Sequence, residues 1–275
     1  MKRIKTFFIF LSVFILFCQC SLLSAQFTSE EISQREKIEI FLKTAEIVKW
    51  KDIGEGVTKP KKLYLKSGET EIKAVWKNPK GMQKGFLEGW QFEIAAYCMD
   101  KLLGLNMIPP TVEREFNGKR GSLQYWVEAE MSDLDRMEMN IKIPEEAIIN
   151  WNKAKYLQRA FDSLIANDDR TQQNILYTKD WRMILIDHSR SFYCTKEYTS
   201  RLVFGKNGLK GRKMIRMLPR AFVERIKALD FDSIRKAVGP YLKDKEINGI
   251  LKRKELLLKE IEEMIKEKGE ENFLY

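Results

Sequence analysis

The chain has 275 residues, 44% hydrophobic and 32% charged, with 49 Lys and Arg against 39 Asp and Glu and a single His. That is apolar material for one bilobal domain or two small ones and excludes bulk disorder, while one histidine argues against His-based zinc sites and Ser-His-Asp triads. The formal charge of +10, with Lys and Glu interspersed, reads as a soluble surface attractive to anionic partners such as ATP, an acidic substrate or anionic lipid; no aromatic-interleaved basic motif points to nucleic acid.

Residues 1–25 read as an export signal. Lys2, Arg3 and Lys5 form a basic start, and 6–17 is an apolar run of twelve residues, short of the roughly 20 a membrane span needs. A cut at Ala25/Gln26 is favoured, with a lipoprotein cut before Cys18 or Cys20 as the alternative, so the protein is expected to be secreted or periplasmic, with membrane contact only through a lipidated or anchored N-terminus. Removing this segment leaves a charge of +7, because it holds three positives and no acid. Of the four Cys, only Cys98 and Cys194 then remain, which two-residue arithmetic reads as free thiols rather than a framework.

Thr28-x-x-Glu31 is a capping-box pattern opening one amphipathic helix over 26–45. Strand character follows at 46–53 and 61–65, on either side of Gly54 and Gly56, which let backbone approach a phosphate closely. No Gly-Lys-Ser/Thr follows, so this is not a Walker loop. A third strand, 72–77, puts Lys73 and Lys77 on one face by its period of 2. Residues 80–86 are Lys/Gly-rich and read as a loop. A helix over 90–103 ends at Gly104. Strands at 112–116 and 122–127 flank Asn117-Gly118, a strong hairpin signal. Pro144 opens a helix, 152–166 is another, and 219–229, 231–242 and 245–268 complete a helical second half, with 269–275 expected to fray.

The stretch 161–192 organises the rest. An apolar run, 160–166, enters the polar cluster Asn167-Asp168-Asp169-Arg170; two short strands, 175–177 and 183–186, follow around a turn, and Asp187 stands at their exit. An antiparallel pair returns the chain to its start, so Asn174 and Asp187 come near each other. Oxygen ligands so placed suit Mg²⁺ together with phosphate.

This arrangement resembles the protein-kinase-like fold, in which a loop Asp precedes an Asn by five residues and a second metal-binding Asp follows the next hairpin. Asp169 precedes Asn174 by five and Asn174 precedes Asp187 by thirteen. The wording is most similar to the atypical branch: the secretory-pathway kinases (Golgi casein kinase, four-jointed and xylose kinases) and the phosphatidylinositol kinases. Ala74-Val75-Trp76-Lys77 is similar to their run ending in the ATP-binding Lys, and Glu93-Ile94-Ala95-Ala96-Tyr97 followed by Ile108-Pro109-Pro110 to their helix and Val-Pro-Pro turn.

The resemblance implies an α+β bilobal fold, with a small β-rich N-lobe (46–130) and a mainly helical C-lobe (131–275). It implies ATP and Mg²⁺ or Mn²⁺ as cofactors. Gly54, Gly56, Lys77 and Glu93 would serve nucleotide binding, with Lys73 as backup for Lys77 and Glu88 as competitor of Glu93. Asp169 would be the catalytic residue, with Asn174 and Asp187 the metal ligands. The implied activity is transfer of the γ-phosphate to a hydroxyl of a protein, sugar or lipid. A pseudokinase that binds nucleotide or a partner without turnover, or a nucleotidyl transferase, is the alternative. Two positions depart from the pattern: Thr171 stands where the related families have His, and His188 where protein kinases have Phe.

Overall fold

The computed structural model describes residues 27–54 and 59–275. The expected export signal and Gly56 lie outside the described residues. The chain opens with α1 (Ser29–Ser33) and α2 (Arg35–Thr44), then β1 (Glu46–Asp52), β2 (Lys61–Ser67), β3 (Thr70–Lys77), β4 (Lys80–Gln83), β5 (Phe86–Gly89), α3 (Trp90–Leu103), β6 (Thr111–Phe116) and β7 (Lys119–Tyr125). The second half runs β8 (Met131–Ser132), α4 (Asp133–Glu138), α5 (Ile148–Ile165), β9 (Ile175–Tyr177), β10 (Met183–Leu185), α6 (Lys196–Ser200), α7 (Arg220–Ala228), α8 (Phe231–Val238), α9 (Asp244–Lys268) and α10 (Glu270–Phe273).

Five antiparallel strands make the first lobe's sheet, in the order β1-β2-β3-β7-β6. Alternation along β3 sends Ala74 and Trp76 inward, against Leu63, Leu65, Val112, Phe116, Leu123 and Leu42 of α2. The opposite face carries Lys73 and Lys77. The Asn117-Gly118 turn takes φ of 50° and 70°, the left-handed pair that closes a two-residue hairpin. Residues 126–130 cross to the second sheet, β10-β9-β8, where the Glu130 N–H bonds the Tyr177 carbonyl at 2.8 Å. The second lobe packs α3, α5, α7, α8 and α9 around Phe161, Leu164, Phe222, Ile250 and Leu257. Gly104, at φ 65°, ends α3; a Cβ there would lie 1.5 Å from the Arg225 guanidinium, which donates to the Leu103 carbonyl. Among the described residues no helix is long and apolar enough to cross a membrane.

Three expectations need correction. The 26–45 helix is two, because the Ser33 hydroxyl bonds the Glu30 carbonyl and the chain turns at Gln34, side chain competing with the helical ladder. The 80–86 loop is a hairpin, β4 against β5, closed by Lys84 and Gly85 at φ 47° and 85°. Residues 269–275 do not fray: Phe273 and Leu274 are buried in the main core, and Leu218 exchanges backbone bonds with Phe273 and Tyr275. Burial of those two apolar side chains, about 1.5–3 kcal/mol for one of this size, offsets the entropy of ordering a chain end.

Candidate active site

Lys77 ends β3, and its ammonium lies 2.8 Å from Glu93 Oε1 and 3.0 Å from Asp187 Oδ1. Glu93 stands in the first turn of α3 and is buried. Its other oxygen accepts the His188 N–H at 2.9 Å. One carboxylate thus fixes both the strand lysine and the backbone just after Asp187. That backbone is unusual, since Asp187 has φ 58°, a left-handed conformation that non-glycine residues seldom take. Burial pulls the Lys77 ammonium down, but the Asp187 and Glu93 carboxylates outweigh it and hold the lysine above its ordinary range. Burial acts to raise Asp187, and the Lys77 charge overrides it, keeping the acid below its ordinary range. For Glu93 burial prevails and the direction is upward. Lys73, one step back on the same face, is exposed and pairs with Glu128 at 2.7 Å. The acidic cleft of Glu93 and Asp187 therefore holds Lys77, while Lys73 pairs outside it.

Arg170 ties the segments around Asp162, Asn174 and His188 together. Its side chain is buried and forms two bonds to Asp162, at 2.9 and 3.0 Å. It also donates to the carbonyls of Asn174 (2.8 Å) and Ile186 (2.7 Å) and to His188 Nε2 (2.7 Å). The Ile186 N–H bonds the Asn174 carbonyl, so Arg170 clamps the two ends of the β9-β10 hairpin where they meet. Since Arg170 has only donors, His188 Nε2 is the acceptor and the ring is neutral, a tautomer assigned from this network. Burial, with the Arg170 and Lys77 charges, drives His188 well below its ordinary value. His188 therefore serves as a hydrogen-bond acceptor for Arg170 just after Asp187.

The Asn174 amide donates to the Asp169 carbonyl at 2.8 Å, which closes the loop between them and turns the amide oxygen the other way. Asp168 and Asp169 are set apart by their partners. Asp168 is held by the Tyr198 hydroxyl at 2.6 Å and by Lys210 at 2.5 Å. Tyr198 is anchored in turn, because the buried Arg253 donates to the carbonyls of Leu164, Tyr193 and Tyr198. Asp169 keeps a 34% exposed side chain, with Arg190 3.4 Å away. Burial raises its carboxyl, Arg190 opposes that, and Asp187, Glu88 and Asp168 add to the rise. Arg190 also donates to the buried Glu88 at 2.8 Å, and Ser189 bonds the other Glu88 oxygen.

The structure thus brings Lys77, Glu93 and Asp187 into direct contact, joins Asn174 to Asp169, and connects the two sets through Arg170. Gly54, at φ 78°, stands two residues after the end of β1. Reading the sequence missed Asp162, Arg170 and Arg190 as organisers of this site, and Glu88, weighed there as a competitor of Glu93, instead bonds Arg190. One signal was present: Asp162 is an acid inside the apolar run that ends α5.

Among the described residues no three His, Cys, Asp or Glu side chains are arranged to hold a metal by themselves. The oxygen donors brought together are the carboxylates of Asp187 and Glu93, both on Lys77, with Asn174 at the other end of the same hairpin. Oxygen donors in this small number fit Mg²⁺ or Mn²⁺, which bind through one or two carboxylates and complete their shell with phosphates and water.

No protein-family model and no curated protein sequence matches the chain. Solved structures do. Hydra Fam20 with sugar superposes at a TM-score of 0.64 with 16% identity, over 92% of this chain and 95% of that one. Golgi casein kinase with Mn/ADP bound gives 0.62 and 12%, over 92% and 80%. The Helicobacter pylori proinflammatory kinase CtkA gives 0.52 and 11%, over 84% and 97%. At these identities the likeness establishes the architecture: an atypical kinase-like fold of the Fam20 type.

Proposed function

From this fold, we propose that the protein is an ATP-dependent phosphotransferase that moves the γ-phosphoryl group to a hydroxyl of a protein or sugar acceptor, outside the cytosol, with residues 1–25 as its export signal. The observation that carries the reading is the convergence of Lys77, Glu93 and Asp187 on one point, with Asn174 and Asp169 across the hairpin. Lys77, kept charged by its two acids, would bind phosphate oxygens, and Glu93 would hold it there. Asn174 and Asp187 would hold Mg²⁺ or Mn²⁺, whose charge neutralises the phosphates when it is bound. Asp169 would orient the acceptor O–H and take its proton as the new O–P bond forms and the bond from Pγ to the ADP oxygen breaks. Such chemistry rests on positioning and charge neutralisation, which a small set of fixed groups can supply. A raised Asp169 carboxyl is better suited to receive that proton than an ordinary one.

Purified residues 26–275, with Mn²⁺ and γ-labelled or α-labelled ATP and a mixture of acidic proteins and xylosides, would test this. Label from γ in an acceptor, lost in Asp169→Ala and in Asp187→Ala, is the expected result. Label from α would make the protein a nucleotidyl transferase, nucleotide binding without transfer would make it a pseudokinase, and no nucleotide binding would end the nucleotide reading.

A further inference from the structure

We propose that the cavity between α5 and residues 212–216 is a second ligand site, apart from the cleft, for an anion carrying closely spaced phosphoryl groups. The cavity measures 510 Å³, within the roughly 300–1,000 Å³ of small-molecule sites. Five cations line it, Lys155 and Arg159 from α5 and Arg212, Lys213 and Arg216 from the facing segment, together with Tyr156 and no acid. None of its lining residues belongs to the cleft.

The treatment of these charges is what distinguishes the cavity. Among the described residues, none of the five stands in an ion pair. The acid whose field reaches Lys155 is Asp133, and that carboxylate is already bonded by Arg136 at 2.7 Å and by the Tyr177 hydroxyl at 3.2 Å; Glu267, which feels the Arg212 charge, is itself paired with Lys206 at 2.8 Å. Three of the cations are positioned by uncharged groups. Lys155 lies 4.5 Å from the Trp151 ring centre, Arg159 5.7 Å from that of Tyr156, and Lys213 5.4 Å from that of Phe204. Arg159 also donates to the Met214 carbonyl at 3.0 Å, which fastens the helix to the segment opposite. Such contacts hold a cation in place without cancelling its charge.

Lys155 and Arg159 are one helical turn apart, a spacing at which like charges repel. Both are held below their ordinary range, first by burial and, for Lys155, next by the Arg159 charge. A bound anion relieves that repulsion. Phosphoryl groups suit the set because guanidinium forks bond their oxygens two at a time and lysine supplies point charge. Five positive charges around one cavity call for more than a single phosphoryl group. The same chemistry is presented by a free polyphosphate and by a phosphorylated lipid headgroup.

The test titrates purified protein, without metal, with sodium pyrophosphate by calorimetry. Vesicles of phosphatidylcholine with and without phosphatidylinositol bisphosphate are sedimented with it in parallel. The expected result is saturable pyrophosphate binding that weakens with added salt, falls at least tenfold in Arg212→Gln/Arg216→Gln, and is unchanged in Lys77→Ala. Both arginines are exposed, so the double variant keeps the fold. Vesicle binding that needs the bisphosphate and the two arginines would identify a lipid source; pyrophosphate binding alone would identify a soluble one. No saturable binding to either probe, or binding that Lys77→Ala removes and the double variant retains, overturns the proposal. Neither arm requires turnover, so this outcome is independent of the phosphotransferase reading.

Discussion

In the cleft, Lys77, Arg170 and Arg190 each face at least one carboxylate within 3.4 Å. Beside α5, five cations share a cavity and, among the described residues, none stands in an ion pair. The two regions treat positive charge in opposite ways, and the difference has an energetic sign. In the cleft, charges left water together, so removing one leaves its partner buried and uncompensated. Beside α5, charges repel, so removing one relieves the rest. A folded chain tolerates the first arrangement without a ligand; the second is offset only when an anion arrives.

The strongest way to break the comparison is at Asp162. Asp162→Ala leaves the Arg170 guanidinium buried without its carboxylate, which should cost about 3–5 kcal/mol in urea unfolding. A loss under about 1 kcal/mol would mean that the carbonyls of Asn174 and Ile186 satisfy Arg170 unaided.

Next comes the pair of lysines on β3. Lys77→Met should abolish nucleotide binding, read by fluorescence of a labelled ATP analogue. Lys73→Met, on the same strand face but exposed and paired with Glu128, should leave both binding and unfolding midpoint unchanged. Equal effects would remove the special place given to Lys77.

Acid should expose His188. The ring is buried and held neutral far below its ordinary 6.5. The unfolded chain takes up that proton and the folded chain does not, so the contribution is intact above pH 6.5 and is lost progressively below it. Asp100, pushed up to about 6 by burial, and the raised Glu93 work in the reverse direction, because the folded state takes their protons first. The His188 term is therefore read as a difference. Between pH 7 and 5, His188→Asn should lose less stability than the parent, and parallel profiles would show that the histidine does not titrate on unfolding.

The smallest effect lies beside α5. Lys155→Gln should stabilise the fold by on the order of 0.3 kcal/mol, the size of an unfavourable like-charge pair one turn apart on a helix. A measurable loss of stability would show that Lys155 matters through its packing on Trp151 rather than through its charge.

Much of the frame is local and was legible. The Asn117-Gly118 turn, the Gly104 helix end, the alternation of β3 and the Asp169–Asn174–Asp187 spacing are set by backbone conformation and chain geometry over a few residues. Such features leave a pattern in adjacent letters. The β4-β5 hairpin was hidden because its Lys and Gly composition is that of a loop, while its pairing and its delivery of Glu88 to Arg190 depend on distant partners. The C-terminal residues were hidden for the same reason, since only the main core gives Phe273 and Leu274 somewhere to be buried.

By itself, then, the sequence determined most of the elements, the order of the acidic and amide residues, and the candidate lysines. Tertiary structure decided among equals. It chose Lys77 over Lys73, because one sits beneath Glu93 and Asp187 and the other faces solvent. It set Asp168 and Asp169 to different partners, and it gathered Arg159, Arg212 and Arg216 into one cavity from positions up to 57 residues apart in the chain. Electrostatic interaction depends on distance and on burial together, and neither quantity is written along a single strand of letters.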